Sequence, residues 1–381
     1  RGRHGELGAR EGVAQADGKA VRGHRVVRVE RDGRLRGDLV SLRTDVSAKG
    51  TVVGAVAVRV DGQAVVIAVR HEITDWGRVL EVELLDVEPT GLQGRDRAIL
   101  IVRGEDAPGF LQGLITIDSE KLAEKTARYG CLLTPQGKYA YDFFLYRQGA
   151  TEFWLDTAAD RAAELMKRLR LFKLRSKVEL ALAEPPRTVL AVPGQQGTPP
   201  AIADGDESFA DPRHAELGYR IISGDPDATM AALEAAGLTK SPLGDYESLR
   251  LSLGMPEGDR DMQVDKSTML ECNIDQLGGV DWDKGCYMGQ ELTARTRYRG
   301  LVKKRLVPLT IDGPLPDYGT PVELDGKAVG ETRSAFGNRA LALMKLPGIE
   351  AGQAKDATFT IGDATAILAL PDWLRIVPEE V

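Results

Sequence analysis

One segment of the chain, residues 281–300, combines residue types that could perform nucleophilic chemistry. It reads DWDKGCYMGQELTARTRYRG. Its cysteine, Cys286, lies beside Lys284 and close in sequence to Arg295 and Arg299. Positive potential from these cations and from the start of a helix favours the thiolate form of a cysteine. The segment therefore predicts a reactive Cys286, with a buried structural cysteine as the alternative.

The residues around this cysteine predict a tight loop followed by a helix. Gly285 and Gly289 bracket the cysteine and Tyr287, and glycine permits backbone conformations that other residues avoid. A helix is predicted to begin at Gln290, with Glu291 in its first turn. Together these residues predict a loop that presents the thiol.

The composition excludes several classes of function. The chain has 381 residues, with 50 Lys and Arg against 57 Asp and Glu, so its net charge is −7. An acidic chain does not favour direct nucleic-acid binding. No apolar run is long enough to span a membrane and no signal peptide is evident at the start, so a cytoplasmic protein with no membrane partner is expected.

The metal-binding residue types are sparse. There are three cysteines without CxxC spacing, and none of the four histidines has ligand spacing with another. No resident metal site or disulfide framework is expected, nor is permanent binding of an iron-sulfur cluster by one chain. The other two cysteines, Cys131 and Cys272, have apolar or strand-like neighbours and are expected to be structural.

The chain divides into three predicted regions. Residues 1–90 lack Phe, Tyr, Met and Cys, and turn residues predict two β-hairpins there, after 26–30 and at 61–63. This N-terminal segment is interpreted either as an appended β-rich module or as a partly disordered extension. Residues 91–303 mix strands with capped helices and predict two α+β subdomains, and the short strands of 304–381 predict a C-terminal β-barrel.

Within the middle region, local signals define particular elements. Thr134 to Gly137 predict a hairpin turn. A helix over 158–171 is predicted, with Ala163, Met166 and Leu169 on one face. Asp106 is a candidate N-cap of a short helix.

The stretch 167–177 is rich in Lys and Arg. It could bind RNA phosphates, but its interleaved Leu and Phe residues are more typical of a helix end that runs into a half-exposed edge strand. We favour the second interpretation because the whole chain is acidic.

The motif KGCYMGQE followed by TAR resembles the signature of the YgfZ family, folate-binding proteins linked to iron-sulfur cluster assembly and tRNA modification. Other segments share the resemblance, which covers about 95–381: FLQGLITID (110–118), LLTPQGK (132–138), YDFFLYR (141–147), RLRLFKLRSKVEL (168–180) and the stretch 270–285. One departure is Ile117, where the family commonly has Asn.

The resemblance implies the fold of the aminomethyltransferase of the glycine cleavage system: two α+β subdomains and a C-terminal β-barrel around a central folate channel. It also implies a bound tetrahydrofolate or derivative. If residues 271–275 are extended, Glu271, Asn273 and Asp275 share one side and are candidates for the pterin edge. Solvent-facing acids are the alternative.

The remaining folate contacts expected from the resemblance are aromatic and cationic. Trp282 could wall the site, and Arg295 or Arg299 could meet the carboxylates of the folate tail. The alternative is that Trp282 belongs to the core.

The resemblance further implies support of iron-sulfur cluster assembly or repair, with indirect effects on tRNA modification. Expected partners are folate and iron-sulfur client or assembly proteins, and a monomer is expected. Folate-dependent aminomethyl transfer is the alternative. Those transferases carry paired Asp residues where this chain has Tyr141-Asp142, so Asp142 is either a catalytic base or a structural acceptor.

Overall fold

The structure is a computed structural model. It describes residues 97–376 apart from Asp356, together with the backbones of four earlier strands. Two compact units are present, Arg1–Glu88 and Pro89–Val381.

The described part of the first unit is an antiparallel sheet with the order β1-β2-β3. Its strands are β1 (Asp38–Val46), β2 (Thr51–Val60) and β3 (Gln63–Glu72). Val60 pairs with Gln63, which agrees with the hairpin predicted at 61–63. The other predicted hairpin, after 26–30, lies outside the described residues.

The first α+β subdomain of the second unit is built on a sheet with the order β6-β7-β8-β5-β9. Its elements are β5 (Arg97–Arg103), α1 (Ala107–Gln112), β6 (Ala127–Leu133), β7 (Tyr139–Gly149), β8 (Glu152–Ala158), α2 (Ala159–Lys173) and β9 (Glu179–Leu182). The predicted turn joins β6 to β7, and Gly137 there has φ 69°. Since side chains alternate along a strand, β7 supplies Phe143 to one apolar core and Phe144 to another.

The second α+β subdomain has the sheet order β11-β12-β10-β4-β13. Its elements are β4 (Thr90–Gln93), β10 (Thr188–Val192), β11 (Glu207–Ala210), β12 (Tyr219–Ser223), α3 (Pro226–Ala235), β13 (Thr239–Ser241), α4 (Leu243–Ser252) and α5 (Gly258–Asp261). Asp225 caps α3 by accepting a hydrogen bond from the backbone N of Ala228 at 3.0 Å.

Helix α6 (Gln290–Tyr298) leads into a closed barrel with the order β14-β17-β16-β15-β18-β19. The barrel elements are β14 (Lys304–Asp312), β15 (Pro321–Leu324), β16 (Lys327–Phe336), β17 (Arg339–Lys345), α7 (Leu346–Lys355), β18 (Phe359–Ile361) and β19 (Ala364–Leu368). Closure removes exposed strand edges. The predictions of α+β subdomains and of a C-terminal barrel are therefore confirmed.

Two local predictions fail in detail. Helix α2 buries Ala162, Leu165 and Leu169 rather than the predicted set that included Ala163 and Met166. Asp106 does not cap α1; its carboxylate instead accepts a hydrogen bond from the backbone N of Lys177 at 2.7 Å. The sheet beneath α2 selects its buried face, and a hydrogen bond from a residue distant in sequence engages Asp106.

A buried carboxylate joins the two subdomain sheets. Asp156 on β8 is fully buried, and its oxygens lie 2.6 Å from Arg97 on β5 and 2.6 Å from Arg220 on β12. Burial alone would raise the pKa of Asp156, but the two guanidinium groups outweigh burial and lower the pKa below its ordinary value. The carboxylate is therefore charged. Without it, the buried guanidinium groups of Arg97 and Arg220 would lose their shared counter-charge.

We predict that Asp156→Asn lowers the free energy of unfolding by about 3–5 kcal/mol, because a buried charge network loses one partner. Since the folded-state pKa is lowered, this stabilisation is present above the unfolded-state pKa of about 4 and is lost as the pH falls from there through the folded-state pKa. Urea unfolding at several pH values checks both effects. The exposed Asp204→Asn serves as control, and an equal loss in the two variants contradicts the assignment.

Candidate functional site

Cys286 is exposed, whereas Cys131 and Cys272 are buried. Helix α6 begins four residues later, at Gln290, as predicted. Burial raises the pKa of both buried thiols, that of Cys272 to about 12. The alternative of a buried structural cysteine therefore applies to the other two and not to Cys286.

Lys284 fixes the loop that carries this thiol, which we call the motif loop (281–289). The Lys284 side chain is buried, and its ammonium donates hydrogen bonds to the backbone oxygens of Ile115 at 2.7 Å and Ile117 at 2.6 Å. Burial lowers the pKa of Lys284 to about 8. The ammonium is directed to two carbonyl groups and makes no hydrogen bond to Cys286 in the described part of the chain. Its expected influence on the thiol stays a prediction.

The motif loop also contacts the β6–β7 turn through two glycines. Gly289 has φ 82°, and a Cβ built on it would lie 2.6 Å from the backbone oxygen of Thr134. A Cβ on Gly137 would lie 3.0 Å from the backbone oxygen of Gly289. Both positions therefore require glycine. At Gly285 a Cβ would meet open space, so the expected backbone requirement holds for Gly289 and not for Gly285.

Tyr287 points into the protein rather than toward the exposed thiol. Its side chain is 6% exposed and packs in an apolar cluster that includes Cys131 and Met269. Its hydroxyl is buried and has no hydrogen-bond partner among the described residues. Burial raises the pKa of Tyr287. Tyr287 thus attaches the motif loop to the core by packing.

Asp142 on strand β7 is held by hydrogen bonds. Its carboxylate accepts from the hydroxyls of Tyr129 and Tyr139, both at 2.9 Å, and from the backbone N of Gly258 at 3.2 Å. Burial and the nearby Asp142 carboxylate raise the pKa of both tyrosines, so they remain donors. The geometry favours the structural acceptor over the catalytic base.

The residues expected at the pterin edge are not on an extended strand. The stretch 271–275 is a series of turns in which Asn273 has φ 62°. The Asn273 amide donates to the backbone oxygen of Leu306 at 2.7 Å, and Asp275 lies 3.4 Å from Arg305. Burial raises the pKa of Asp275 although Arg305 opposes the shift.

Glu271 completes this set by accepting from the hydroxyl of Thr268 at 3.0 Å. The prediction of one shared face is wrong because local turns override the alternating pattern of polar residues. The side chains of Asn273 and Asp275 contact the start of β14 instead, and that of Glu271 contacts Thr268.

The expected aromatic wall and tail cations are arranged around α6. The guanidinium of Arg297 lies 4.2 Å from the ring centroid of Trp282, and Tyr298 contacts the same ring edge-on at 6.4 Å. Arg295 pairs with Glu291 at 2.8 Å within the helix, and Arg299 is exposed. Sequence reasoning missed Arg297, because no local pattern signals its contact with Trp282.

Tetrahydrofolate does not fit three of the six residues expected to hold it. Asn273 and Asp275 are engaged by protein groups, and the face of Trp282 is covered by Arg297. These three expected contacts are therefore not available to folate, and no chemical step is derived through folate.

Sequence reasoning also missed a buried cationic cluster around Phe144. The guanidinium groups of Arg220 and Arg213 lie 4.0 and 4.7 Å from its ring centroid. Arg213 pairs with Asp211 at 2.7 Å and donates to the hydroxyl of Tyr246 at 2.9 Å. The only available signal was an arginine within the apolar strand pattern GYRII, which does not reveal its partners.

We predict that Lys284 changes the pH dependence of stability. Its folded-state pKa of about 8 is below the ordinary value of 10.5, so between these values the unfolded state binds more protons at this position. Lys284 therefore makes the free energy of unfolding rise with pH across that window. The wild type should show a steeper rise than Lys284→Met in denaturant unfolding, and identical slopes would contradict the assignment.

Two tyrosine variants should differ in stability. Tyr287→Phe removes a hydroxyl without a partner, so we expect the free energy of unfolding to stay within about 0.5 kcal/mol or to increase. Tyr129→Phe removes a donor to buried Asp142 and should cost about 1–3 kcal/mol. Denaturant unfolding of both variants checks the difference. If Tyr287→Phe lost as much free energy of unfolding as Tyr129→Phe, or more, the absence of a hydrogen-bond partner for the Tyr287 hydroxyl would be contradicted.

Comparisons with known proteins agree with this architecture. Residues 97–197 match the family described as the GCVT N-terminal domain, and residues 303–376 match the CAF17 C-terminal beta-barrel domain. The aminomethyltransferase T of the glycine cleavage system from Bartonella henselae is similar in structure, with a TM-score of 0.58 and 15% identity. The structural match covers 75% of this chain and 86% of the aminomethyltransferase chain. This likeness confirms the predicted aminomethyltransferase-like fold.

The curated relatives are more similar in sequence. The mitochondrial iron-sulfur cluster assembly factors IBA57 of Mus musculus and Homo sapiens are each 33% identical over 304 residues, which are 73% of this chain and 83% of each relative. A homologue from Pyricularia oryzae is 30% identical, over 66% of this chain and 70% of the relative.

These relatives refine one expectation and overturn another. They carry the name IBA57 rather than YgfZ. The prediction of a cytoplasmic protein is wrong, because all three relatives are named as mitochondrial proteins. Among the described residues, no helix is long and apolar enough to cross a membrane. From the identity and coverage of these relatives, the chain belongs to the family of the iron-sulfur cluster assembly factor IBA57.

Proposed function

We propose that this protein supports the assembly of iron-sulfur clusters and that Cys286 is its reactive group. The observation that carries the proposal is the exposed thiol of Cys286 on a loop fixed from inside by Lys284. The relatives named as assembly factors support it. Their names also support a mitochondrial site of action.

The chemistry proposed for Cys286 is ligation of iron in a cluster that is cargo. The thiol loses its proton to solvent, and the thiolate sulfur donates an electron pair to iron in exchange for one ligand of the protein that delivers the cluster, which leaves with its own electron pair. No electron transfer is needed. The other two thiols are buried with raised pKa values, so Cys286 is the thiol available for this contact.

A single thiolate supplies one ligand, whereas a cluster is held by about four. No group of three His, Cys, Asp or Glu side chains in the described part of the chain is arranged to hold a metal. The other ligands of a transient cluster must therefore come from a client or carrier protein. Effects on tRNA modification would then arise indirectly, through enzymes that receive clusters.

Aminomethyl transfer has less support. The likeness to the aminomethyltransferase, at 15% identity, concerns the fold. Asp142 is the remaining acid on β7, and three donors already occupy its carboxylate. A general base needs a free acceptor position that reaches the substrate.

The proposal is tested in human cells depleted of IBA57 and supplied with this chain, directed to the mitochondrial matrix. We predict that the wild type restores the activity of a mitochondrial iron-sulfur enzyme. That activity is expressed relative to the activity of a mitochondrial enzyme that contains no cluster. Cys286→Ala and Cys286→Ser should lose at least about tenfold of the restored activity, because neither side chain ligates iron as a thiolate.

Asp283→Ala is the matched control, because Asp283 is an exposed neighbour on the same loop. It should restore activity as the wild type does. Full restoration by Cys286→Ala at equal protein level would refute the role of Cys286. Failure of the wild type at that level would refute the assembly function.

A further inference from the structure

The end of helix α2 carries an exposed apolar pair within a basic surface. Leu171 is 67% exposed and Leu174 is 88% exposed, the largest values among the exposed large apolar side chains of the described residues. We call the surface formed by 167–177 the α2-end surface. These two exposed leucines lie three residues apart in sequence. Apolar contact with a partner would explain their exposure.

The charge of this surface is opposite to that of the whole chain. Residues 167–177 contain six cations and no acid, while the net charge of the chain is −7. Lys177 pairs with Glu105 at 2.8 Å. Within residues 97–376, the other cations of the surface form no ion pair: Lys167, Arg168, Arg170, Lys173 and Arg175. Their charge remains available to an acidic partner.

The backbone around Leu174 is held in place. Ser176 donates its backbone N–H to the oxygen of Lys173 at 2.8 Å, and Lys177 donates its own to the carboxylate of Asp106 at 2.7 Å. A Cβ on Gly104 would lie 2.1 Å from the backbone oxygen of Lys177, so the turn packs closely on β5. A partner that binds Leu174 therefore does not have to order the backbone of this turn.

A groove adjoins Leu174 on this surface. It has a volume of about 730 Å³ and is lined by Asp106, Leu174, Arg175 and Ser176. Leu174 and Arg175 thus line the same depression, together with the Asp106 carboxylate, which the backbone N of Lys177 engages. An occupant that matches it needs an apolar side chain flanked by carboxylates.

Other occupants match less well. Nucleic acid offers phosphates to the cations but nothing for the exposed leucines, and Phe172 is partly buried beside Arg168 rather than free for base stacking. A second copy in a two-fold dimer would bring two basic surfaces together, which is repulsive. Cations can also prevent the edge strand β9 from pairing with another chain. That role explains the cations of this surface but not the exposed Leu171 and Leu174.

We propose that the α2-end surface docks a partner protein through an acidic, leucine-bearing segment. Leu171 and Leu174 contact its apolar residues, and the surrounding cations contact its carboxylates. This inference goes beyond the proposed function, because it does not involve Cys286 or iron.

The test uses the full chain and a fluorescent helical peptide in which a stripe of Leu is flanked on both sides by Glu. We expect saturable binding that weakens with salt, measured by fluorescence anisotropy. Leu174→Ser and the double variant Lys173→Glu/Arg175→Glu should each weaken binding at least about tenfold. Leu315→Ser and Lys240→Glu, at exposed positions elsewhere, should bind as the wild type does.

Several outcomes would overturn the proposal. They are no saturable binding, equal binding of a peptide with Lys in place of Glu, or equal losses in the control variants. Tighter binding of oligouridine, unaffected by Leu174→Ser, would assign the surface to nucleic acid. A dimer of the wild type that Leu174→Ser dissociates would assign it to self-association. Thermal unfolding confirms that each variant is folded.

Discussion

The buried ammonium of Lys284 determines how the motif loop can present its thiol. Its two hydrogen bonds to the 115–117 segment attach the loop to the first subdomain. Tyr287 packs inward on the same loop, so Cys286 is left on the outside. Because the loop is fixed at residues on either side of the thiol, the position of the sulfur does not depend on a partner to order it.

Buried charge has a similar role in the frame of the molecule. Arg97 and Arg220 reach Asp156 from different sheets, and Arg213 joins the same region through Asp211. Such pairs are costly to bury but specify one arrangement, since each charge is satisfied only when its partners are in place. The relative position of the two α+β sheets is thereby restricted.

Much of the fold follows from local patterns. The Thr134–Gly137 turn, the start of α6 at Gln290 and the strands of the barrel were predictable because turn chemistry and periodicity are local properties. The buried face of α2 was not predictable in this way. A series of apolar residues at helical spacing can start at either Ala162 or Ala163, and only contact with the sheet beneath the helix decides which series is buried.

The candidate site was predictable in part, for a related reason. The exposed thiol and the helix after it follow from the motif, but the partners of Lys284 and Asp142 lie far away in sequence. Polar residues alternate along 271–275 as they do in an extended strand, but the stretch is a turn in which Asn273 has a left-handed conformation. Long-range contacts of this kind leave no local pattern.

The contact between Gly137 and Gly289 makes two distant positions interdependent. Each lies where the backbone of the opposite segment would collide with a Cβ. A mutation that adds a side chain at one position cannot be tolerated unless the opposite segment retreats, and that retreat would move the motif loop itself. Substitutions in the hairpin and in the thiol-bearing loop should therefore affect stability non-additively.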